Sequence, residues 1–361
     1  MTQSSPNLID PDDISRPNGQ FLGFSYTLEE SQIIFFPVPW DVTTSYGAGT
    51  AKAPQAIIDA SVQLEPTDYH VASAWKIGHY TCAINAEIQA KNDKMRKLAK
   101  EIIEYQEAGG HHQDSEIQPK LEVVNQASES INQWVYSKTN SLLEQEKLIG
   151  LIGGDHSVPL GFMEALIAKY SNYGILQIDA HADLRNAYEG FTYSHASIMY
   201  NALQLSGITD LVQVGIRDFS QGEIDQAKAD KRIHWFTDWK LKDKAYHGYV
   251  WEDQCQEIIA RLPDRVYISF DIDGLSPQFC PHTGTPVPGG LDFNQAVYLI
   301  KTLVKTGKKI IGFDLCEVAP NPKNANDEWD ANVGARLAYK LANFMFLSQS
   351  STVTSDQRTN Y

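Results

Sequence analysis

Ile175–Asp183 reads ILQIDAHAD, a short apolar run that passes straight into acid, imidazole and acid. Asp179, His181 and Asp183 stand at alternate positions. Alternate residues of an extended chain share a side, so the three crowd together where a strand ends. Two carboxylates and an imidazole held that closely repel or stay unsatisfied unless a cation joins them. The bland alternative is a solvated acidic loop, and the apolar run up to Asp179 speaks against it.

Two more segments have the same form. Leu148–Ser157, LIGLIGGDHS, has glycines that let the chain turn off its strand and carry His156 into a cleft. Tyr267–Gly274, YISFDIDG, sets Asp271 and Asp273 on one face of another strand end. Singly, His156 also reads as a structural histidine, and the aspartates as an acidic turn closed by Gly274. Together the segments supply four carboxylates and two imidazoles, a donor set suited to Mn²⁺ with Zn²⁺, Ni²⁺ or Fe²⁺ possible. Six ligands exceed what one catalytic ion takes while keeping open positions. They suit two ions roughly 3.5–4 Å apart that share carboxylates and activate water.

The surrounding pattern alternates apolar runs with amphipathic helices, as in a parallel sheet covered on both faces. Strands are expected at Gln32–Val38, Trp75–His79, Lys147–Ile152, Tyr173–Ile178, Asp210–Ile216, Arg232–Phe236, Arg265–Phe270 and Lys309–Leu315. Pro54 suits the first turn of a helix over Ala53–Leu64. Asp292 with Gln295 resembles a capping box, and Gly307 suits the end of that helix. Val124, Ala127, Ile131, Trp134 and Val135 recur at helical spacing. Gly109–Ser115, GGHHQDS, reads as a polar loop. Its His111 and His112 lack partners at ligand spacing and read as solvated rather than as a third metal site.

The chain has 361 residues, 42% hydrophobic, with a formal net charge of −15. One large domain with a substantial core is expected. The charge disfavours nucleic acid and suits a small cationic partner. Four scattered cysteines, without C-x-x-C spacing, argue against a disulfide framework or zinc ribbon. Residues 1–13 have neither a basic nor an apolar signal region, and no apolar run reaches membrane-spanning length, so a cytoplasmic protein is expected.

At these residues the sequence resembles the ureohydrolase (arginase/agmatinase) family. GGDHS at Gly153–Ser157, DAHADLR at Asp179–Arg185 and SFDIDGLSP at Ser269–Pro277 are similar to its metal-binding signatures. TGTPVPGGL at Thr283–Leu291, DLCEVAP at Asp314–Pro320 and the Pro37–Ile57 segment, PVPWDVTTSYGAGTAKAPQAI, extend the match. The resemblance implies a three-layer α/β/α fold with an eight-stranded parallel sheet, arginase-like. The resemblance covers about Ile33 to Leu347, so a catalytic domain is expected over 31–347 after an N-terminal extension over 1–30, and the polar, Ser- and Thr-rich composition of 348–361 predicts a disordered tail.

The resemblance also implies two Mn²⁺ ions, with Ni²⁺ possible. One takes His156, Asp179, Asp183 and Asp271; the other takes Asp179, His181, Asp271 and Asp273. His195 in YSHAS corresponds to the family's proton-shuttling histidine, and as an imidazole it titrates near neutrality. Glu317 corresponds to the glutamate that pairs with the substrate guanidinium. Asp155 corresponds to a residue that orients a ligand. Without the match, His195 reads equally as a helix cap and Glu317 as a surface charge. A homo-oligomer, trimer or hexamer, is implied as well.

The implied reaction is hydrolysis of a guanidino compound with release of urea. Arg185 stands where arginases carry an Asn that helps hold the α-carboxylate of arginine. The loop Asp183–His195, DLRNAYEGFTYSH, is similar to that of agmatinases and favours agmatine, giving putrescine. Guanidinobutyrate, arginine, free guanidine and formiminoglutamate are alternatives within the family. Ile84–Lys120 and Asn321–Asp327 lengthen the chain relative to short agmatinases, and Ser276 replaces a common Asp. Cys280 and His282 are expected beside the pocket mouth. Two other classes compete. A zinc deacetylase-like hydrolase uses one metal and leaves part of the six-residue set idle. A non-catalytic homologue leaves His195 and Glu317 without a task.

Overall fold

A computed structural model describes residues 9–350. Eight strands form one sheet: β1 Ile33–Pro37, β2 His79–Thr81, β3 Leu148–Ile152, β4 Tyr173–Ile178, β5 Ile208–Val214, β6 Ile233–Phe236, β7 Arg265–Asp271 and β8 Lys309–Cys316. Their order is β2-β1-β3-β8-β7-β4-β5-β6, and every pairing is parallel. Parallel neighbours need crossovers, and helices supply them: α1 Ala53–Ser61, α2 Ala86–Glu107, α3 Gln118–Glu144, α4 Leu160–Tyr170, α5 Ile198–Leu203, α6 Gln221–Ala229, α7 Asp238–Tyr246, α8 Trp251–Ile259, α9 Phe293–Lys305 and α10 Trp329–Gln349.

The helices make two outer layers because strand side chains alternate between faces. Ile33 and Phe35 join the core under α1, α8, α9 and α10. Ile34 and Phe36 join the opposite core under α3, α4 and α5. The expected three-layer α/β/α arrangement with eight parallel strands is therefore observed. In the α3 pattern, Val124, Ala127, Ile131 and Val135 are buried, and Trp134 packs on Phe36 with centroids 5.1 Å apart. The Asp292–Gln295 capping box forms, and Gly307 adopts φ +85° just past α9. No helix among the described residues is long and apolar enough to cross a membrane.

Three expectations need correction. The second strand is His79–Thr81, not Trp75–His79; Ala74–Ile77 is a 3-10 turn. Gly78, at φ +78°, separates the two, and its carbonyl accepts the N–H groups of Gln32 and Ile33. The first helix stops at Ser61, short of Leu64. The expected tail begins inside α10: Ser348 is buried, and its Oγ accepts the Ile310 N–H at 3.0 Å. Residues 351–361 of that tail lie outside the described residues. In the N-terminal extension, the Phe21 ring packs tilted against Phe35 with centroids 4.3 Å apart, and the Leu22 N–H donates to Ser61 Oγ at 2.8 Å.

Candidate metal centre

β3, β8, β7 and β4 are neighbours in the middle of the sheet, so their carboxyl ends open at one place. The segments after β3, β4 and β7 carry the six candidate ligands, and Glu317 follows β8. Ile178 pairs with Phe270, which sets Asp179 beside Asp271. Asp271 in turn pairs with Cys316, next to Glu317. Asp183 and Glu317 hold φ +54° and +63°. A left-handed backbone at a non-glycine residue costs energy, and such strain gathers at functional sites.

Two clusters of ligand atoms share Asp179. His156, Asp179 and Asp183 form one; Asp179, His181 and Asp273 form the other. His156 Nδ1 lies 3.1 Å from Asp179 Oδ2, 3.1 Å from Asp183 Oδ2 and 3.5 Å from Asp271 Oδ2. His181 Nδ1 lies 3.0 Å from Asp273 Oδ2 and 3.7 Å from Asp179 Oδ1. Asp271 joins through His156 and through its Oδ1, which accepts the Asp273 N–H at 2.8 Å. All six expected ligands thus converge, although they come from three distant segments.

The donor atoms fit divalent cations. His156 Nδ1 is buried and makes no hydrogen bond among the described residues, although three carboxylate oxygens surround it. Its Nε2 lies 2.9 Å from Ser269 Oγ and 3.6 Å from Asp314 Oδ1. A proton on Nε2 satisfies those oxygens and leaves the Nδ1 lone pair facing the carboxylates, as metal-ligating histidines require.

Electrostatics point the same way. Burial and Asp179 push Asp183 up to about 7. Burial, Asp273 and Asp179 hold Asp271 well above the usual carboxylate range. Burial opposes charge on His181, but Asp273 and Asp179 outweigh it and lift its pKa to about 10. Asp273 moves down against its burial because His181 and the Ala180 N–H stabilise its charge. Protons are holding apart charges that two cations would neutralise.

A cavity of about 170 Å³ opens onto this centre, lined by His181, Asp183, His195, Asp218 and Thr285 among others. His195 is half-buried on its wall. Its pKa is not near neutrality as expected; burial first, then His181 and His156, push it down to about 4. Glu317 sits deeper. Its Oε1 accepts the His156 N–H at 2.8 Å, and its Oε2 faces Gly284, 3.7 Å from where a Cβ would stand.

Among the described residues Asp155 makes no hydrogen bond to a candidate ligand's side chain. It accepts the Ser157 N–H at 3.0 Å and the Thr43 hydroxyl at 3.4 Å, and so braces the loop that carries His156. Arg185 Nε lies 3.9 Å from Glu223 Oε2, with the guanidinium 4.9 Å from the Tyr188 ring centre. Cys280 is buried, with Sγ 3.2 Å from the Ile272 carbonyl, and His282 Nδ1 pairs with Asp330 at 2.8 Å. Neither lines the cavity. His111 and His112 join no ligand cluster among the described residues.

Several residues escape the motif reading. Gln177 donates to Asp179 Oδ2 at 2.7 Å, Ser269 and Asp314 face His156, and Asp218 lines the cavity. A signal for three of them exists: Gln177, Ser269 and Asp314 are polar residues inside otherwise apolar strands, which rarely bury such groups without a task.

The arginase family model matches residues 31–343. The N(1)-aminopropylagmatine ureohydrolase of Synechocystis is 30% identical over 324 residues, covering 89% of this chain and 91% of that protein. An agmatinase of Bacillus cereus is 27% identical, covering 81% and 86%. The crystal structure of agmatine ureohydrolase from Thermoplasma volcanium superposes with a TM-score of 0.68 at 23% identity, covering 92% of this chain and 96% of that one. With this match spanning the whole sheet and all six candidate ligands, the chain belongs to the arginase family of ureohydrolases.

Proposed function

We propose that this chain cleaves an amine-tailed guanidine, agmatine in the first instance, to putrescine and urea. The observation that carries the reading is Asp179, shared by two clusters of candidate ligands whose His181 and Asp183 line one cavity. His156, Asp179, Asp183 and Asp271 would hold one divalent cation; Asp179, His181, Asp271 and Asp273 would hold the other. Manganese is the first choice and nickel the second. Bound there, the pair supplies activated water and stabilises negative charge.

The chain's own groups do the rest. Glu317 already uses Oε1 on the His156 N–H, which leaves Oε2 for the guanidinium N–H groups. Water adds to the guanidinium carbon and gives a tetrahedral adduct. The C–N bond to the alkyl amine breaks once that nitrogen gains a proton. His195, neutral and on the cavity wall, takes the proton from the attacking water and passes it to the leaving nitrogen.

A longer substrate, N(1)-aminopropylagmatine, is favoured by the names of the relatives in Synechocystis and Thermus thermophilus. Assembly as a trimer or hexamer belongs to the same reading, and light scattering measures it. The deciding experiment is urea release after loading with Mn²⁺ or Ni²⁺. The substrates are agmatine, N(1)-aminopropylagmatine, arginine, guanidinobutyrate and guanidine, with formamide followed from formiminoglutamate. Agmatine or its aminopropyl derivative is expected to lead. Turnover of acetylated polyamines with no urea from any guanidine would refute the proposal.

A further inference from the structure

Asp218 is a carboxylate on the outer cavity wall that stands outside both ligand clusters and whose side chain accepts no hydrogen bond among the described residues. Its backbone is fixed: the N–H donates to the Ala180 carbonyl at 3.0 Å, and the residue forms a parallel bridge with His181. Its side chain is 67% accessible and accepts no hydrogen bond among the described residues. The nearest cationic group is His181 Nε2 at 3.9 Å, beyond hydrogen-bond reach.

The neighbouring charges are engaged. Glu223 accepts the Leu184 N–H at 3.1 Å and the Ser220 N–H at 2.8 Å. Arg185 leans on Glu223 and the Tyr188 ring. With two divalent ions bound, the four ligand carboxylates would be balanced between neutral imidazoles. The carboxylate of Asp218 is left over, facing the cavity. Phe219, exposed beside it, gives the wall an apolar surface suited to a methylene stem.

We propose that Asp218 is a specificity-determining residue that receives the protonated amine at the far end of the substrate, opposite the guanidinium. This rests on the proposed guanidine hydrolysis and adds the group that reads the tail. It selects ω-aminoalkyl guanidines over uncharged alkyl guanidines and over guanidino acids, whose carboxylate Asp218 repels.

The test compares agmatine with 1-butylguanidine, which has the same stem and no amine, in the metal-loaded wild type and in Asp218→Asn. Metal content is measured on both. The wild type is expected to prefer agmatine in kcat/KM, and D218N to lose about 10- to 100-fold of that preference with both ions retained. An undiminished preference in D218N overturns the proposal. Loss of metal in D218N also overturns it, by making Asp218 a support for His181. If the wild type hydrolyses neither guanidine, the proposed function fails separately. Calorimetric titration with 1,4-diaminobutane and 1-aminobutane then decides on Asp218. The diamine is expected to bind more tightly to the wild type, with the advantage lost in D218N; equal binding of the two amines by the wild type removes Asp218 from tail recognition.

Discussion

The His156 backbone N–H donates to Glu317 Oε1 across 2.8 Å, joining residues 161 positions apart in sequence. A candidate metal ligand and the candidate guanidinium acceptor therefore hold each other in register. Glu317→Gln keeps an oxygen for the His156 N–H but loses the charge. It is expected to keep both metal ions and to lose about 10- to 100-fold in kcat/KM. Elemental analysis beside steady-state kinetics checks this, and an unchanged kcat/KM removes Glu317 from substrate binding.

Ser269 acts through His156 Nε2 at 2.9 Å. Ser269→Ala removes the partner that fixes the imidazole tautomer and is expected to weaken metal affinity by about 10- to 100-fold. Competition with a chelator measures this directly. Equal affinity in the variant would show that Asp314 alone, at 3.6 Å, suffices.

His195 lines the cavity but stands outside both ligand clusters. His195→Ala is expected to bind both ions and to turn over about 10²- to 10⁴-fold more slowly. Ion content below that of the wild type would instead make His195 a ligand.

The metal-stripped protein should lose stability as pH rises. Asp183 has its pKa raised to about 7, so between about 4 and 7 the folded state binds more protons than the unfolded one. Stability therefore falls as pH climbs through that window. His181, raised to about 10, acts in the same direction: its contribution is full below its unfolded value and lost as pH rises toward 10. Metal binding displaces those protons, so affinity for Mn²⁺ should grow across the same range. Melting curves of chelator-treated protein from pH 5 to 8 are expected to shift downward; an upward shift would contradict the proton-held charge cluster.

The long segment before β3 gains a task from α2. Arg96 Nη1 donates to the carbonyls of Val42 at 3.0 Å and Thr44 at 2.6 Å, and Asn92 Oδ1 accepts the Asp41 N–H at 2.8 Å. These bonds pin the loop that brings Ser45 to the cavity wall. Arg96→Ala is expected to raise KM about 10-fold with metal content unchanged. A KM equal to that of the wild type would leave α2 a purely structural addition.

Much of this protein is readable from the chain alone. Apolar runs such as LIGLI and KIIGFDL fit strands buried on both faces, and a parallel sheet with two helical layers follows. The six candidate ligands were legible because acid and imidazole interrupt those runs at strand ends, where an unpaired charge is costly. The second strand was misread because Trp75–Ile77 looks apolar enough for a strand, while the left-handed turn at Gly78 acts through backbone partners near residue 30. What lies between distant segments was not legible. The pairing of Ser269 with His156, the tie from His156 to Glu317, the hold of Arg96 on the Val42–Thr44 loop and the exposed carboxylate of Asp218 beside His181 all depend on strand order and crossover paths. Local sequence dictates which atoms seek a partner. Only the packed sheet decides which partner comes within about 3 Å, because hydrogen bonds and ligand shells are short-ranged while the chain linking them is long.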